Sequence, residues 1–119
     1  MFSIYFNGNC FQEYESTLYL INAAKSEFTC AKDFINEALK YLIAENEIYE
    51  DYKNRHFVES TDDDISLMKS IISNMKKSVV FDFEKIVESH TMNPEYDVEH
   101  MMLLTSENNY IMLYWNTTA

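Results

Sequence analysis

Residues 98–117, VEHMMLLTSENNYIMLYWNT, decide the fold. Two apolar stretches flank Ser106-Glu107-Asn108-Asn109, four polar turn-forming residues of the length that joins antiparallel strands. The spacing predicts strands over Val98–Thr105 and Tyr110–Thr117 that fold back on each other as a hairpin. Upstream, Ser78–Glu88 places Val79, Phe81, Phe83 and Val87 on one face and Asp82, Glu84 and Glu88 on the other, a third strand by its period of two. His90–Tyr96 carries the single proline, Pro94, and reads as a turn. At the opposite end Phe2, Ile4 and Phe6 alternate with Ser3, Tyr5 and Asn7, and Asn7-Gly8-Asn9 reads as the turn that ends a fourth strand.

Between these strands the period changes to that of helices. Phe11, Tyr14, Leu18 and Ile21 share one helical face. Ser26 or Thr29 can cap a longer helix running to about Tyr52, with Ala31, Phe34, Ile35, Ala38, Leu39, Leu42 and Ile43 as its buried stripe. Residues 53–59 break the period and read as a loop anchored by Phe57 and Val58. A third helix follows, where Thr61 and Asp64 form a capping box with Asp in place of Glu, and Ile65, Met68, Ile72 and Met75 form its stripe. The expectation is an α+β fold of order β-α-α-α-β-β-β, with three helices packed on one face of a four-stranded antiparallel sheet. The length of 119 residues fits one domain.

Composition narrows the function. Twenty acidic and nine basic side chains give a net charge of −11, which excludes a surface built to neutralise phosphates and disfavours anionic membranes. A content of 47% hydrophobic and 15% aromatic residues supplies a core. No apolar run has the length of a membrane span or a signal-peptide core, so a cytoplasmic protein with two free thiols, Cys10 and Cys30, is expected. A single glycine, Gly8, excludes a glycine-rich phosphate loop. Eight lysines against one arginine, with eleven asparagines and nine tyrosines, suggest an AT-rich coding sequence of the kind mobile elements carry.

Motifs of catalysis and metal binding are missing from the pattern. Read as an EF-hand loop from Asp62, position six is Leu67 and position twelve is Ser73, so the required Gly and Glu are absent. No histidine pair has the i, i+4 spacing of a zinc hydrolase, and neither a metal nor a cofactor is expected. Asn93-Pro94-Glu95-Tyr96 matches an NPxY pattern but is also plain turn chemistry. Cys10 with His90 or His100 could supply a nucleophile and base, Cys30 also opens a helix, and among twenty acids no carboxylate pair is distinguished.

The prominent signal is clustered charge. Glu45, Glu47, Glu50 and Asp51 precede a loop, and Glu59, Asp62, Asp63 and Asp64 follow it, so eight acids fall in twenty residues against Lys53 and Arg55. If the flanking helices pack side by side, one face becomes strongly negative. Glu50 and Asp51 at a helix C-terminus would oppose the macrodipole, a placement that a partner would justify. Tyr49 and Tyr52 supply aromatic anchors among the acids.

A small acidic α+β chain of this composition, lacking catalytic motifs, resembles the immunity proteins encoded beside bacterial toxins, including those of contact-dependent growth inhibition. The resemblance implies an inhibitor, not an enzyme, that neutralises a basic protein toxin such as a nuclease without touching nucleic acid itself. Its carboxylates would occupy the place of phosphates. The residues expected to meet the toxin are Glu45, Glu47, Tyr49, Glu50, Asp51, Tyr52, Asp62, Asp63 and Asp64. Three alternatives carry different signatures. A phage-type DNA mimic, anti-restriction or anti-CRISPR, would string acids along an elongated surface. A small Cys/His enzyme would hold Cys10 and a histidine in one pocket. An adaptor would expose an apolar patch, for instance Met101, Met102, Leu103 and Leu104.

Overall fold

A computed structural model describes residues 3–9, 16–73, 85–92 and 99–117. The chain is α+β. Its strands are β1 (Ser3–Asn9), β2 (Ser16–Ala24), β3 (Phe57–Glu59), β4 (Ile86–Met92), β5 (Glu99–Ser106) and β6 (Asn109–Thr117). Its helices are α1 (Ala31–Ala44) and α2 (Asp62–Ser73), with short 3₁₀ helices at Lys25–Glu27 and Glu50–Asn54. All pairings are antiparallel, in the order β1-β2-β6-β5-β4-β3. The sheet thus has five strands of seven to nine residues and a three-residue edge strand, β3.

This replaces the expected four-stranded sheet with three helices on one face. Two α-helices stand among the described residues, and they pack on opposite faces. Tyr19, Ile21 and Ala23 of β2, Met101 and Leu103 of β5, Met112 and Tyr114 of β6 and Met92 of β4 meet Phe34, Ala38, Leu39 and Leu42 of α1. The alternate residues, Leu18, Leu20, Met102, Leu104, Ile111 and Leu113, meet Met68 and Ile71 of α2. Side chains in a strand alternate between faces, so a strand covered on both sides must be apolar at consecutive positions. That is why Met101–Leu104 and Ile111–Tyr114 are uninterrupted apolar runs, all of them buried.

The same reasoning corrects the region around residue 20. Leu18, Tyr19, Leu20 and Ile21 are all buried, which no single helical face permits, and Ser16–Ala24 pairs with β6 over nine residues from Ser16↔Thr117 to Ala24↔Asn109. The helix expected from Phe11 therefore gives way to a strand over its second half, and residues 10–15 lie outside the described set. Asn7-Gly8-Asn9, expected to turn, remains in β1 and pairs with Leu18 and Thr17 through Gly8 and Asn9.

α1 begins at Ala31 behind Cys30, an exposed N-cap without a side-chain hydrogen bond, and ends eight residues before Tyr52. Asn46, at φ 60°, stops it. The Asn46 amide bonds to the Ile43 carbonyl and the Glu47 amide to the Leu42 carbonyl, both at 3.0 Å, the paired bonds of a left-handed helix terminator. α2 starts where expected. The Thr61 amide donates to Asp64 Oδ2 at 2.9 Å and the Asp64 amide donates to Thr61 Oγ1 at 3.1 Å, a reciprocal capping box. Residues 57–59, expected in a loop, pair with β4 through Phe57↔Met92, Val58↔Thr91 and Glu59↔His90. His90–Met92, expected in a turn, belong to β4. The hairpin connection tightens to Glu107 and Asn108, with the Asn109 amide donating to Ser106 Oγ at 3.1 Å. Of the strand expected over Ser78–Glu88, residues 86–88 belong to β4, while residues 78–84, Met75 and the Asn93–Tyr96 motif lie outside the described residues.

Candidate interaction surface

The acidic stretch 45–64 leaves the end of α1, passes β3 at the sheet margin and enters α2 on the opposite face. The two acid groups therefore wrap an edge instead of sharing a flat face. The strand between them spans roughly 10 Å. Glu50 and Asp51 do not oppose a helix dipole, because they lie in the first turn of the 3₁₀ helix, where negative charge is favourable.

The left-handed Asn46 aims Glu47 inward. Its carboxylate accepts from Tyr19 Oη at 3.1 Å and from Asn116 Nδ2 at 2.8 Å, tying α1's exit to β2 and β6. Burial, then the neighbouring Glu47, pushes the Tyr19 hydroxyl up to about 12. Glu45 stays exposed at the helix end; burial first and the Glu45 carboxylate second raise the Tyr41 hydroxyl.

Tyr52 is only 5% exposed, and its hydroxyl donates to Glu99 Oε2. Tyr114 Oη donates to the same oxygen at 3.0 Å and lies 3.4 Å from the Glu47 carbonyl. Arg55 Nη1 donates to Glu99 Oε1 at 3.2 Å while its guanidinium lies 3.7 Å over the Tyr52 ring. Burial dominates the upward shift of both tyrosine hydroxyls, and the Glu99 carboxylate reinforces it. One carboxylate, two tyrosines and an arginine thus clamp the segment to the sheet. Arg55 also approaches Asp51 at 3.9 Å, and Lys53 pairs with Glu50 at 3.2 Å.

Beyond Arg55 the chain is held by Phe57, packed on the α1-side core, and by hydroxyls on the other face. Ser60 Oγ lies 2.7 Å from Thr91 Oγ1 and accepts from Ser89 Oγ at 2.7 Å. Asp64 is committed to the capping box, whereas Asp62 and Asp63 beside it are exposed.

The nine sequence-identified residues therefore divide. Glu45, Tyr49, Glu50, Asp51, Asp62 and Asp63 face solvent, with Tyr49 78% exposed. Glu47, Tyr52 and Asp64 make internal bonds. Sequence reasoning overlooked Glu99, although an acid directly before the apolar run HMMLL signals a buried carboxylate with partners. Val58, expected to anchor a loop, and Glu59, expected among the acids after it, instead stand exposed on the edge strand β3.

Met101–Leu104 are buried, so they form no apolar patch. Cys10 is outside the described residues, and His100 is buried at 3% exposure. An open hollow of about 540 Å³ between α2 and β4 takes in Ser60, Lys69, Glu88 and His90. Among the described residues no group of three His, Cys, Asp or Glu side chains is arranged to hold a metal. No described helix is long and apolar enough to cross a membrane. No protein-family model matches the chain, nor does any curated protein or solved structure.

Proposed function

We propose that the chain is a stoichiometric inhibitor of the immunity type, which captures a basic protein, such as a toxin nuclease, in the cytoplasm. The observation that carries this reading is the division of charge along 45–64. Both local cations, Lys53 and Arg55, are paired within the segment or with Glu99, while Glu45, Glu50, Asp51, Asp62 and Asp63 point to solvent around exposed Tyr49. The outward field is negative, and opposite charge on a partner accelerates capture within a Debye length of about 8 Å at physiological salt. Carboxylates set against lysines and arginines of a nucleic-acid site occupy the positions of phosphates, so binding and inhibition become one event. Tyr49 adds a rigid aromatic contact.

The test is recovery of the partner from the native host at graded salt, followed by the combined variant Glu45→Gln, Glu50→Gln, Asp51→Asn, Asp62→Asn and Asp63→Asn. A basic partner is expected whose affinity falls with salt and drops at least tenfold with the variant, while thermal stability holds. Equal affinity of the variant and the unaltered chain refutes the reading.

A further inference from the structure

We propose that the outer edge of β3 is a strand-addition site for an extended basic segment of the partner, an inference that rests on the acidic-surface reading above. The orientation of the edge follows from the ladder. The Ser60 amide donates to the Ser89 carbonyl at 3.0 Å, one step past the pairs Phe57↔Met92, Val58↔Thr91 and Glu59↔His90. In an antiparallel ladder, hydrogen-bonded and non-bonded pairs alternate. Ser60/Ser89 and Val58/Thr91 are thus the bonded pairs, and Phe57 and Glu59 turn their N–H and C=O groups away from β4. Among the described residues no strand lies beyond β3.

The edge is held rigidly for such a role. Phe57 packs into the core on one face, and the Ser60, Thr91 and Ser89 hydroxyls lock the other. Val58 is 55% exposed and offers a small apolar contact. Phe57-Val58-Glu59 carries no lysine, proline or bulge; its shortness and the Glu59 charge guard it against neutral or acidic strands, and that same charge favours a basic one. Charge selects the occupant. Glu59 lies on the strand, Glu50 and Asp51 precede it, and Asp62 and Asp63 follow, all exposed. A second copy would set these acids against themselves, whereas an extended segment bearing lysines or arginines matches them. The other terminal strand, β1, has the sequence SIYFNGN with no charged residue, so a basic segment is drawn to β3. Main-chain bonds at Phe57 and Glu59 would fix the register, and the flanking acids would supply attraction.

The probe is a blocked octapeptide of alternating lysine and valine, titrated into the isotopically labelled full chain at 50 and 300 mM salt. Two further forms carry backbone N-methyl groups on the lysines or on the valines. Binding is expected to slow amide exchange at Phe57 and Glu59 at least tenfold and leave Val58 unchanged. N-methylation of the set facing β3 should weaken binding at least tenfold, and methylation of the other set less than twofold. Glu59→Pro removes the outward N–H in addition to the carboxylate that Glu59→Ala also removes, at a position where edge strands accept proline, and it should weaken binding beyond Glu59→Ala. The methylated peptides read the same bond on the unaltered chain should that variant fail to fold.

Absence of binding, or equal binding of both methylated forms, overturns strand addition. Salt-sensitive binding that ignores methylation does so while leaving the acidic-surface reading standing. Methylation-sensitive binding that ignores salt overturns the acidic reading and the basic occupant with it. Protection of Phe57 and Glu59 that grows with protein concentration in the absence of peptide assigns the edge to a second copy and also overturns the proposal.

Discussion

Glu99→Gln removes the charge at the centre of the clamp while keeping its shape. Glu99 accepts from Tyr52, from Tyr114 at 3.0 Å and from Arg55 at 3.2 Å, and its side chain is 9% exposed. A glutamine offers one acceptor oxygen and turns its amide, a donor, toward a donor. The charge-assisted bond to Arg55 is worth about 1.5–3 kcal/mol, and a buried hydroxyl left without an acceptor costs about 1–3 kcal/mol. Arg55 still reaches Asp51 at 3.9 Å, which offsets part of the loss. The net cost is about 3 kcal/mol, a large fraction of the roughly 5–15 kcal/mol that stabilises a domain. With a urea dependence of about 1.5 kcal/mol per molar, the unfolding midpoint should fall by about 2 M. Tyr52→Phe and Tyr114→Phe should each lose less than Glu99→Gln. The tyrosine hydroxyls, held high by burial and by this carboxylate, should ionise at lower pH in the glutamine variant, as followed by tyrosinate absorbance. A midpoint shift below about 0.5 M would refute the clamp and make the network ornamental to stability.

Further outcomes follow from single positions. Asn46→Ala should cost about 1 kcal/mol in denaturant unfolding because its φ is 60°, and Asn46→Gly should be neutral or stabilising. Thr61→Ala removes the acceptor of the Asp64 amide and should lower stability by about 1 kcal/mol, measured the same way. His100 is depressed below its ordinary value of 6.5, chiefly by burial, with Asp64 pulling the other way. Its unfolded form therefore binds a proton first, and stability is full above pH 6.5 and declines as pH falls below it, by at most about 1.4 kcal/mol per pH unit. The variant His100→Gln should lose this slope in urea midpoints measured from pH 7.5 down to 5.5.

Much of the helical architecture was legible because helix signals are local. The stripe Phe34, Ala38, Leu39, Leu42 is the buried face of α1, and the Thr61/Asp64 box opens α2 as expected. Strands were harder, because their support comes from residues far along the chain. Leu18 and Ile21 fit a helical stripe, but β6 pairs along the strand and both sheet faces are filled, so Tyr19 and Leu20 are buried as well. β3 has only three residues, too few for a period, and exists through its pairing with β4 some thirty residues on. Asn46 was the readable signal that went unused: with one glycine in the chain, asparagine takes the left-handed position that ends α1. The acids of the surface were visible by count. Their division into exposed and internal was not, since Glu47 and Tyr52 find their partners at residues 19, 99 and 116.

The central place of β6 has a bearing on how the chain is made. β2 emerges from the ribosome about ninety residues before the strand it pairs with along its whole length. Until residue 117 is free, LYLINAA has no β6 to shield it, and the α1-side and α2-side cores both lack their middle. Closure of the sheet is thus a late, non-local event, of the kind that slows folding. During synthesis the nascent chain must carry an apolar strand in waiting, and a chain cut short before Asn109 would have no middle strand around which either layer could assemble.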